Sequence, residues 1–338
     1  MEILAFGVQD DERPLIEQAF ADAFAGEPEV RCVDVFLNRD TAAIARGYEA
    51  VSTSVNADLG GPVLQTLAAG GTQFVAQRST GFNNIDLDVA ERLALTVARV
   101  SSYSPYSVAE FAWTLAMAVN RRIVRAANRT RDFDFRLEGL MGRDLRGRTV
   151  GVIGTGRIGE AFTRIAHGFG MNLLGWDVAE NPACRELGMR YVEREELFRE
   201  ADVVSLHVPL LPATEHLVDA HALDLMKDDA ILVNSSRGGL VDTRALVDVL
   251  RAGRLLGVGL DVYEAEAGLF FYDKSLDVVT DDVLARLMTF PNVVVTSHQA
   301  YYTEDAVTEI IDTTVRNIRD YLAGRRSENV LVPALPTR

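Results

Sequence analysis

A chain of 338 residues, 48% of them hydrophobic, is long for one core and predicts two globular domains, each able to bury its own interior. A formal net charge of -15 spread along the sequence excludes a broad nucleic-acid or anionic-membrane surface, so any anion has to be met at a local site, with Arg157 and Arg237 the candidates. Cys32 and Cys184 fit neither a disulfide framework nor a metal motif, no run is long enough to span a bilayer, and Met1-Glu2-Ile3-Leu4 has no basic segment before an apolar core; a soluble, cytoplasmic protein is expected.

In chain order, short apolar runs at Ile3 to Val8, Arg31 to Phe36, Ala50 to Thr53, Phe74 to Ala76 and Leu95 to Ala98 alternate with helical patterns. That alternation predicts a parallel sheet with helices on its faces. Ser107 to Arg129 follows as one long helical pattern, with Arg121, Arg122 and Arg125 as a solvated basic end. A second strand series runs through Thr149 to Ile153, Asn172 to Trp176, Asp202 to Leu206, Ala230 to Asn234, Gly257 to Leu260 and Asn292 to Thr296. The irregular stretch Ala265 to Thr280 is longer than an ordinary connection and is a candidate active-site loop. Thr303 to Leu322 reads as a final helix before a polar tail, placed to cross back to the first domain. The expected fold class is therefore α/β, with two doubly wound parallel-sheet domains and a cleft between them: residues 1–100 plus 300–338 form a flavodoxin-like, substrate-side domain, and 101–299 a Rossmann domain.

The second series opens with Val152-Ile153-Gly154-Thr155-Gly156-Arg157-Ile158-Gly159, a strand, a glycine turn and a helix start. Gly154 permits the tight turn, Gly156 admits a pyrophosphate close to the backbone, Gly159 lets the helix lie near the sheet, and the diphosphate meets the helix N-terminus. The next strand ends at Asp177, where a carboxylate can accept both ribose hydroxyls, which favours NAD over NADP. A strand-end turn residue is the plainer reading of Asp177.

Three polar residues follow later strands: Arg237 in Asn234-Ser235-Ser236-Arg237-Gly238-Gly239, Glu266 after Asp261, and His298 in Ser297-His298-Gln299-Ala300. In an open α/β sheet ligands gather outside the carboxyl ends of the strands, so one edge would collect all three. An arginine there can clamp a carboxylate, a histidine can move a proton, and a glutamate can orient that histidine. Taken singly they could be a surface ion pair, a solvated loop acid and a packed or capping histidine.

Together, the segments Asn234 to Asp242, Gly259 to Glu266 and Ser297 to Thr303 resemble the D-isomer-specific 2-hydroxyacid dehydrogenase family. Leu269 to Ser275 and Arg78 to Asp86 are closest to its D-lactate branch, and the resemblance covers almost the whole chain. It implies that Arg237 holds the substrate carboxylate and polarises the carbonyl, that His298 is the general acid in reduction, and that Glu266, rather than neighbouring Glu264, hydrogen-bonds the histidine. By the same resemblance Val208, Pro209, Thr214, Ser235 with Ser236, and Asp261 line the NAD. Backbone amides at Thr80 and Gly81 meet the substrate carboxylate, while Tyr103 and Tyr301 contact the substrate. Thr214 departs from the asparagine common in relatives, though its hydroxyl can still hydrogen-bond on the adenine side. His207 competes as a base but stands beside Val208-Pro209. No histidine spacing suggests a metal.

The resemblance implies NADH-dependent reduction of pyruvate to D-lactate, in a homodimer joined through the cofactor domain. A bulkier 2-ketoacid such as phenylpyruvate is the near alternative, because Tyr301, Tyr302 and Phe271 do not fix pocket volume. Formate oxidation fits less well, since related formate enzymes typically carry glutamine where Glu266 stands. An NAD-sensing corepressor-like protein is a different class, weighed down by the lack of a basic or disordered extension.

Overall fold

The computed structural model describes residues 2–24 and 28–332. The chain begins β1 (Ile3–Ala5), α1 (Arg13–Phe24), β2 (Val30–Cys32), β3 (Ala50–Thr53), α2 (Gly61–Ala69), β4 (Phe74–Gln77), α3 (Leu87–Arg92) and β5 (Thr96–Arg99). It continues with α4 (Pro105–Asn120), α5 (Ile123–Arg131), β6 (Thr149–Ile153), α6 (Arg157–Gly168), β7 (Asn172–Trp176), α7 (Pro182–Glu186), β8 (Arg190–Tyr191), α8 (Arg194–Glu200) and β9 (Val203–Leu206). Then come α9 (Ala220–Leu225), β10 (Ile231–Asn234), α10 (Thr243–Arg251), β11 (Gly257–Leu260), α11 (Asp282–Met288), β12 (Val293–Val295), α12 (Glu304–Leu322) and β13 (Val330–Val332).

Two units result, Met1–Ser104 with Thr303–Arg338, and Pro105–Tyr302. The divisions fall where helices begin, Pro105 opening α4 and Thr303 capping α12 with its side chain on the Ala306 amide, rather than at 100 and 299.

The first unit holds a six-stranded sheet in the order β13-β5-β4-β3-β1-β2. All neighbours are parallel except β13, which runs antiparallel on β5. Strands β1, β3 and β4 are buried along their whole length, as expected of parallel strands covered on both faces. Helix α12 lays Val307, Ile311, Val315 and Ile318 on Ile3, Ala5, Phe74 and Phe20, and so closes one face of this sheet.

The second unit is a seven-stranded, all-parallel sheet, β12-β11-β10-β9-β6-β7-β8. Its strand order reverses between β9 and β6, the switch point at which doubly wound sheets bind ligands. Helix α4 lies very close to the sheet because Gly257 and Gly259 have no side chains: a Cβ on Gly259 would sit 2.9 Å from the Leu115 Cβ, and one on Gly257 would sit 2.5 Å from Val119 Cγ1.

The structure corrects the sequence reading in three places. The long helix expected over Ser107 to Arg129 is broken at Arg121-Arg122, where Arg122 takes a left-handed φ of 53° and its guanidinium donates to the Leu256 carbonyl at 2.8 Å. Arg122 is therefore a tether rather than a solvated helix end. The tail expected after α12 contains strand β13, whose Val332 is buried against the edge of the sheet. Strand β8, only Arg190–Tyr191, is too short to leave a periodic signature. Residues 265–280 carry no regular element, as expected.

Candidate active site

The glycine turn is built at the switch point. Gly154 has φ 92°, and a Cβ there would meet the His207 carbonyl at 2.6 Å and Val208 Cγ1 at 2.8 Å, so the turn lies directly on the chain leaving β9. A Cβ on Gly159 would fall 1.9 Å from the Gly154 carbonyl, which is why the first turn of α6 can press on the turn itself. Gly156, by contrast, faces open space. The amides of Arg157 and Ile158 find no acceptor among the described residues, and Arg157 is exposed without an ion pair among them. Open space, free amides and a helix N-terminus fit a pyrophosphate.

Asp177 sits at the end of β7 and accepts from the Thr155 amide at 2.6 Å, from the Thr155 hydroxyl at 3.2 Å and from the Val178 amide at 2.7 Å. Thr155 is a hub that sequence reasoning missed. Its hydroxyl accepts from the Tyr191 phenol at 2.8 Å and its carbonyl from the Asn181 side chain at 2.8 Å. Only its position between two glycines hinted at this. Oδ2 takes both Thr155 groups, while Oδ1 accepts only the Val178 amide and keeps a lone pair free for a hydroxyl.

Val208, buried, and Pro209, exposed, follow β9. Thr214 closes that loop, its hydroxyl donating to the Pro209 carbonyl at 2.6 Å and accepting from the Leu211 amide at 2.8 Å. His207 lies under the turn with its ring 4.9 Å from that of Phe162 and its Nε2 2.9 Å from the Ser205 hydroxyl. Its Nδ1 is buried with no partner among the described residues, and burial lowers its pKa to about 3, so this ring stays neutral.

At the end of β10, Ser235 has a buried hydroxyl with no partner among the described residues, while the Ser236 hydroxyl donates to the Leu206 carbonyl at 2.9 Å. Arg237 is half-buried, donates to the Ser236 carbonyl at 2.6 Å and faces no carboxylate at ion-pair distance among the described residues. Gly238 makes its placement possible, since a Cβ there would fall 2.0 Å from the Tyr263 carbonyl carbon. The loop carrying Arg237 thus rests on the turn that carries Glu266.

That turn holds the other pair. Glu266 Oε2 accepts from the Tyr263 amide at 3.0 Å, and Oε1 lies 2.8 Å from His298 Nδ1. Neighbouring Glu264 points elsewhere, 2.6 Å from His216 Nε2. The choice of Glu266 over Glu264 as the carboxylate beside His298 agrees with this geometry. His298 has a left-handed φ of 56°, and Asp261 holds it there: the Asp261 carbonyl accepts from the His298 amide at 2.7 Å, and its carboxylate takes the Thr296 hydroxyl and the Gln299 and Ala300 amides at 2.6, 2.9 and 2.7 Å. Burial pushes the Asp261 pKa up, and these hydrogen bonds oppose the shift. With no exposure and every oxygen engaged, the visible work of Asp261 is to pin the histidine loop. Tyr301 and Tyr302 follow, with rings 5.7 Å apart.

Thr80, Gly81 and Tyr103 belong to the first unit. The Thr80 carbonyl accepts from Arg99 and the Gly81 carbonyl from the Ser79 hydroxyl, both at 2.7 Å, and neither amide of the pair donates to an acceptor among the described residues. Two amides held in this way suit a carboxylate. No cluster of histidine, cysteine and acidic side chains able to hold a metal occurs among the described residues.

A seven-stranded parallel sheet with a glycine turn at its switch point and a carboxylate at the next strand end defines a dinucleotide-binding domain. Comparison with known proteins narrows the class. The family model for the NAD binding domain of D-isomer specific 2-hydroxyacid dehydrogenases matches residues 113–300. A 2-hydroxyacid dehydrogenase A of Aspergillus oryzae is 49% identical over 88% of this chain and 85% of its own length. D-lactate dehydrogenase of Escherichia coli is 44% identical over 98% of this chain and all of its own. A solved D-lactate dehydrogenase of Aquifex aeolicus, complexed with NAD and lactic acid, superposes with a TM-score of 0.86 at 30% identity, covering 99% of this chain and 100% of that one. The chain belongs to the D-isomer specific 2-hydroxyacid dehydrogenase family, and its cofactor is NAD.

Proposed function

We propose that the protein reduces pyruvate to D-lactate, reversibly, with His298 as the general acid. The observation that carries this reading is an arginine with no carboxylate partner among the described residues, on the same sheet edge as a histidine whose Nδ1 is committed to Glu266 at 2.8 Å. In that arrangement Nε2 is the nitrogen left to meet substrate. Bound NADH supplies the hydride for the carbonyl carbon. His298 Nε2 gives the proton to the carbonyl oxygen, which becomes the hydroxyl, while Arg237 holds the carboxylate and polarises the carbonyl. Asp177 receives the adenosine ribose hydroxyls, the start of α6 the pyrophosphate, and Val208, Pro209, Thr214, Ser235 and Ser236 flank the remainder, while the fully buried Asp261 acts through the His298 loop it pins. Tyr301 faces the substrate.

Similarity to D-lactate dehydrogenases over nearly the full chain supports pyruvate and the D configuration. The test follows NADH consumption with glyoxylate, pyruvate, 2-oxobutyrate and phenylpyruvate, with chiral analysis of the product. Pyruvate is expected to give the highest kcat/KM and D-lactate the only enantiomer. L-lactate, or a preference for phenylpyruvate, would overturn the substrate assignment.

A homodimer is part of the same proposal. Residues 132–141 follow α5 without regular structure and expose Phe133, Phe135, Leu137 and Met141 at 82, 69, 81 and 89%. An apolar row this exposed is expected to be covered by a second copy. Sedimentation of a monomer at micromolar concentration would refute it. Two buried free thiols and the absence, among the described helices, of one long and apolar enough to cross a membrane support a cytoplasmic setting.

A further inference from the structure

Behind the site, three segments of the second unit meet at the pair His216 and Glu264, which no part of the proposed mechanism uses. The first segment is the loop after β9 that carries Val208, Pro209 and Thr214 and runs on to His216. The second is the stretch 237–243, which carries Arg237 and ends in the start of α10. The third is the turn 263–266, which carries Glu266. Backbone hydrogen bonds join the first two: the His216 amide donates to the Gly239 carbonyl at 2.8 Å, Val218 to Leu240 at 2.9 Å and Asp242 to Val218 at 3.1 Å. The second and third touch where Gly238 packs on the Tyr263-Glu264 peptide. Side chains bridge the first to the third, through His216 Nε2 and Glu264 Oε1 at 2.6 Å, while Glu264 Oε2 accepts from the Thr243 amide at 3.4 Å.

His216 makes this contact from a left-handed backbone, φ 48°, a conformation that costs a non-glycine residue energy unless its surroundings hold it. One carboxylate therefore answers to both the cofactor loop and the start of α10, two residues before the carboxylate that aligns His298. We propose that His216 and Glu264 are a positioning pair that couples the NAD-side loop 208–214 to the turn bearing Glu266, so that cofactor affinity depends on the charge of His216. The coupling to catalysis rests on the role given above to Glu266; the coupling to the cofactor loop does not.

The charge dependence has a definite sign. The groups facing His216 are Glu264 on the turn after β11, Asp242 at the N-cap of α10 and Glu215 on its own loop, all acidic, and the hydrogen bond from Glu264 is the largest cause of a raised imidazole pKa, with burial opposing it. A raised pKa means that the ion pair is fully present below the ordinary imidazole value of about 6.5 and fades as pH rises through the higher folded value. NADH should therefore bind more weakly as the pH climbs above neutrality.

The experiment titrates NADH fluorescence against the full-length protein, without ketoacid, from pH 6 to 9.5. Wild type is compared with Glu264→Gln, His216→Asn, which tolerates the left-handed backbone, and His216→Lys, which keeps a cation across the range. At pH 6.5, Glu264→Gln and His216→Asn are expected to weaken NADH by about three- to fivefold, the size of a partly exposed ion pair, and to flatten its pH dependence. His216→Lys should keep near wild-type affinity and hold it to pH 9.5. Melting temperatures of all four proteins separate this from loss of fold. The proposal is overturned if the NADH profile of Glu264→Gln matches wild type, or if His216→Lys and His216→Asn lose affinity equally at every pH. Failure of the Glu266 assignment would show instead as unchanged ketoacid turnover in Glu266→Gln, with the NADH shifts of the His216 and Glu264 variants still present.

Discussion

Asp177 Oδ2 accepts the Thr155 amide at 2.6 Å, so the carboxylate at the end of β7 and the glycine turn after β6 are held as one piece. The arrangement presents a negative charge where the 2'-position of an adenosine ribose would come, and a 2'-phosphate there meets a like charge. NADH should exceed NADPH in kcat/KM by at least about 10²-fold, as expected of a close like-charge contact worth about 3 kcal/mol. Asp177→Ser should narrow that gap chiefly by lowering the NADH value. Equal kcat/KM for the two cofactors in wild type would remove Asp177 from this role.

His298→Ala is expected to cut kcat for ketoacid reduction by roughly 10²-fold or more, because the proposed proton donor is lost, while NADH binding stays within about twofold. Stopped-flow turnover and fluorescence titration of the same sample check the two halves. Near wild-type turnover would move the proton transfer to another group.

Glu266 accepts from Nδ1 of that histidine, whereas an amide in its place would turn its NH2 group toward the ring and favour the opposite tautomer. Glu266→Gln should therefore lower kcat by about tenfold or more with little change in KM for NADH, the signature of an interaction that matters in the chemical step. An unchanged kcat would show that the 2.8 Å contact has no catalytic weight.

How much of this was legible in the sequence follows from the physics of each feature. Buried parallel strands are runs of apolar residues, so β3, β6, β7 and β11 were read with the boundaries they have. G-x-G-x-x-G states its own geometry, because left-handed φ at Gly154 and the contact at Gly159 admit no other residue. What escaped the reading depends on pairs distant in sequence. The break at Arg122 is held by the Leu256 carbonyl, the alignment of His298 by Asp261, and the orientation of Asp177 by Thr155 with Tyr191 and Asn181. Hydrophobic periodicity cannot report a carbonyl more than a hundred residues away, and β8 and β13 are too short to carry a period at all.

His207 supplies a test on stability rather than rate. Its folded pKa of about 3 lies below the ordinary 6.5, so between those values the unfolded chain takes up a proton that the folded ring refuses. The folded state therefore loses stability as pH falls from 6.5 toward 3 and has the full benefit above 6.5. Comparing urea midpoints at pH 7.0 and 4.5, the acid-induced drop should be larger in wild type than in His207→Gln, whose neutral amide can keep a contact with Ser205. Equal drops in the two proteins would mean that the ring titrates freely in the folded state.

Arg237 tests the substrate side. The Gly238 contact on Tyr263 fixes the backbone beside it, the Ser236 carbonyl occupies one guanidinium nitrogen at 2.6 Å, and the remaining donors have no carboxylate among the described residues. A fork of parallel N–H groups can grip a carboxylate at two oxygens and still lean on the adjacent carbonyl, which an ammonium cannot do from one point. Arg237→Lys should therefore raise KM for pyruvate and lower kcat together, for a combined loss of about 10²-fold or more in kcat/KM, or about 3 kcal/mol of transition-state stabilisation. NADH affinity should hardly move, because the substitution keeps the positive charge and changes only the geometry of its donors. If KM alone rises and kcat is preserved, the arginine binds substrate and transition state equally, and polarisation of the carbonyl has to be sought in another donor.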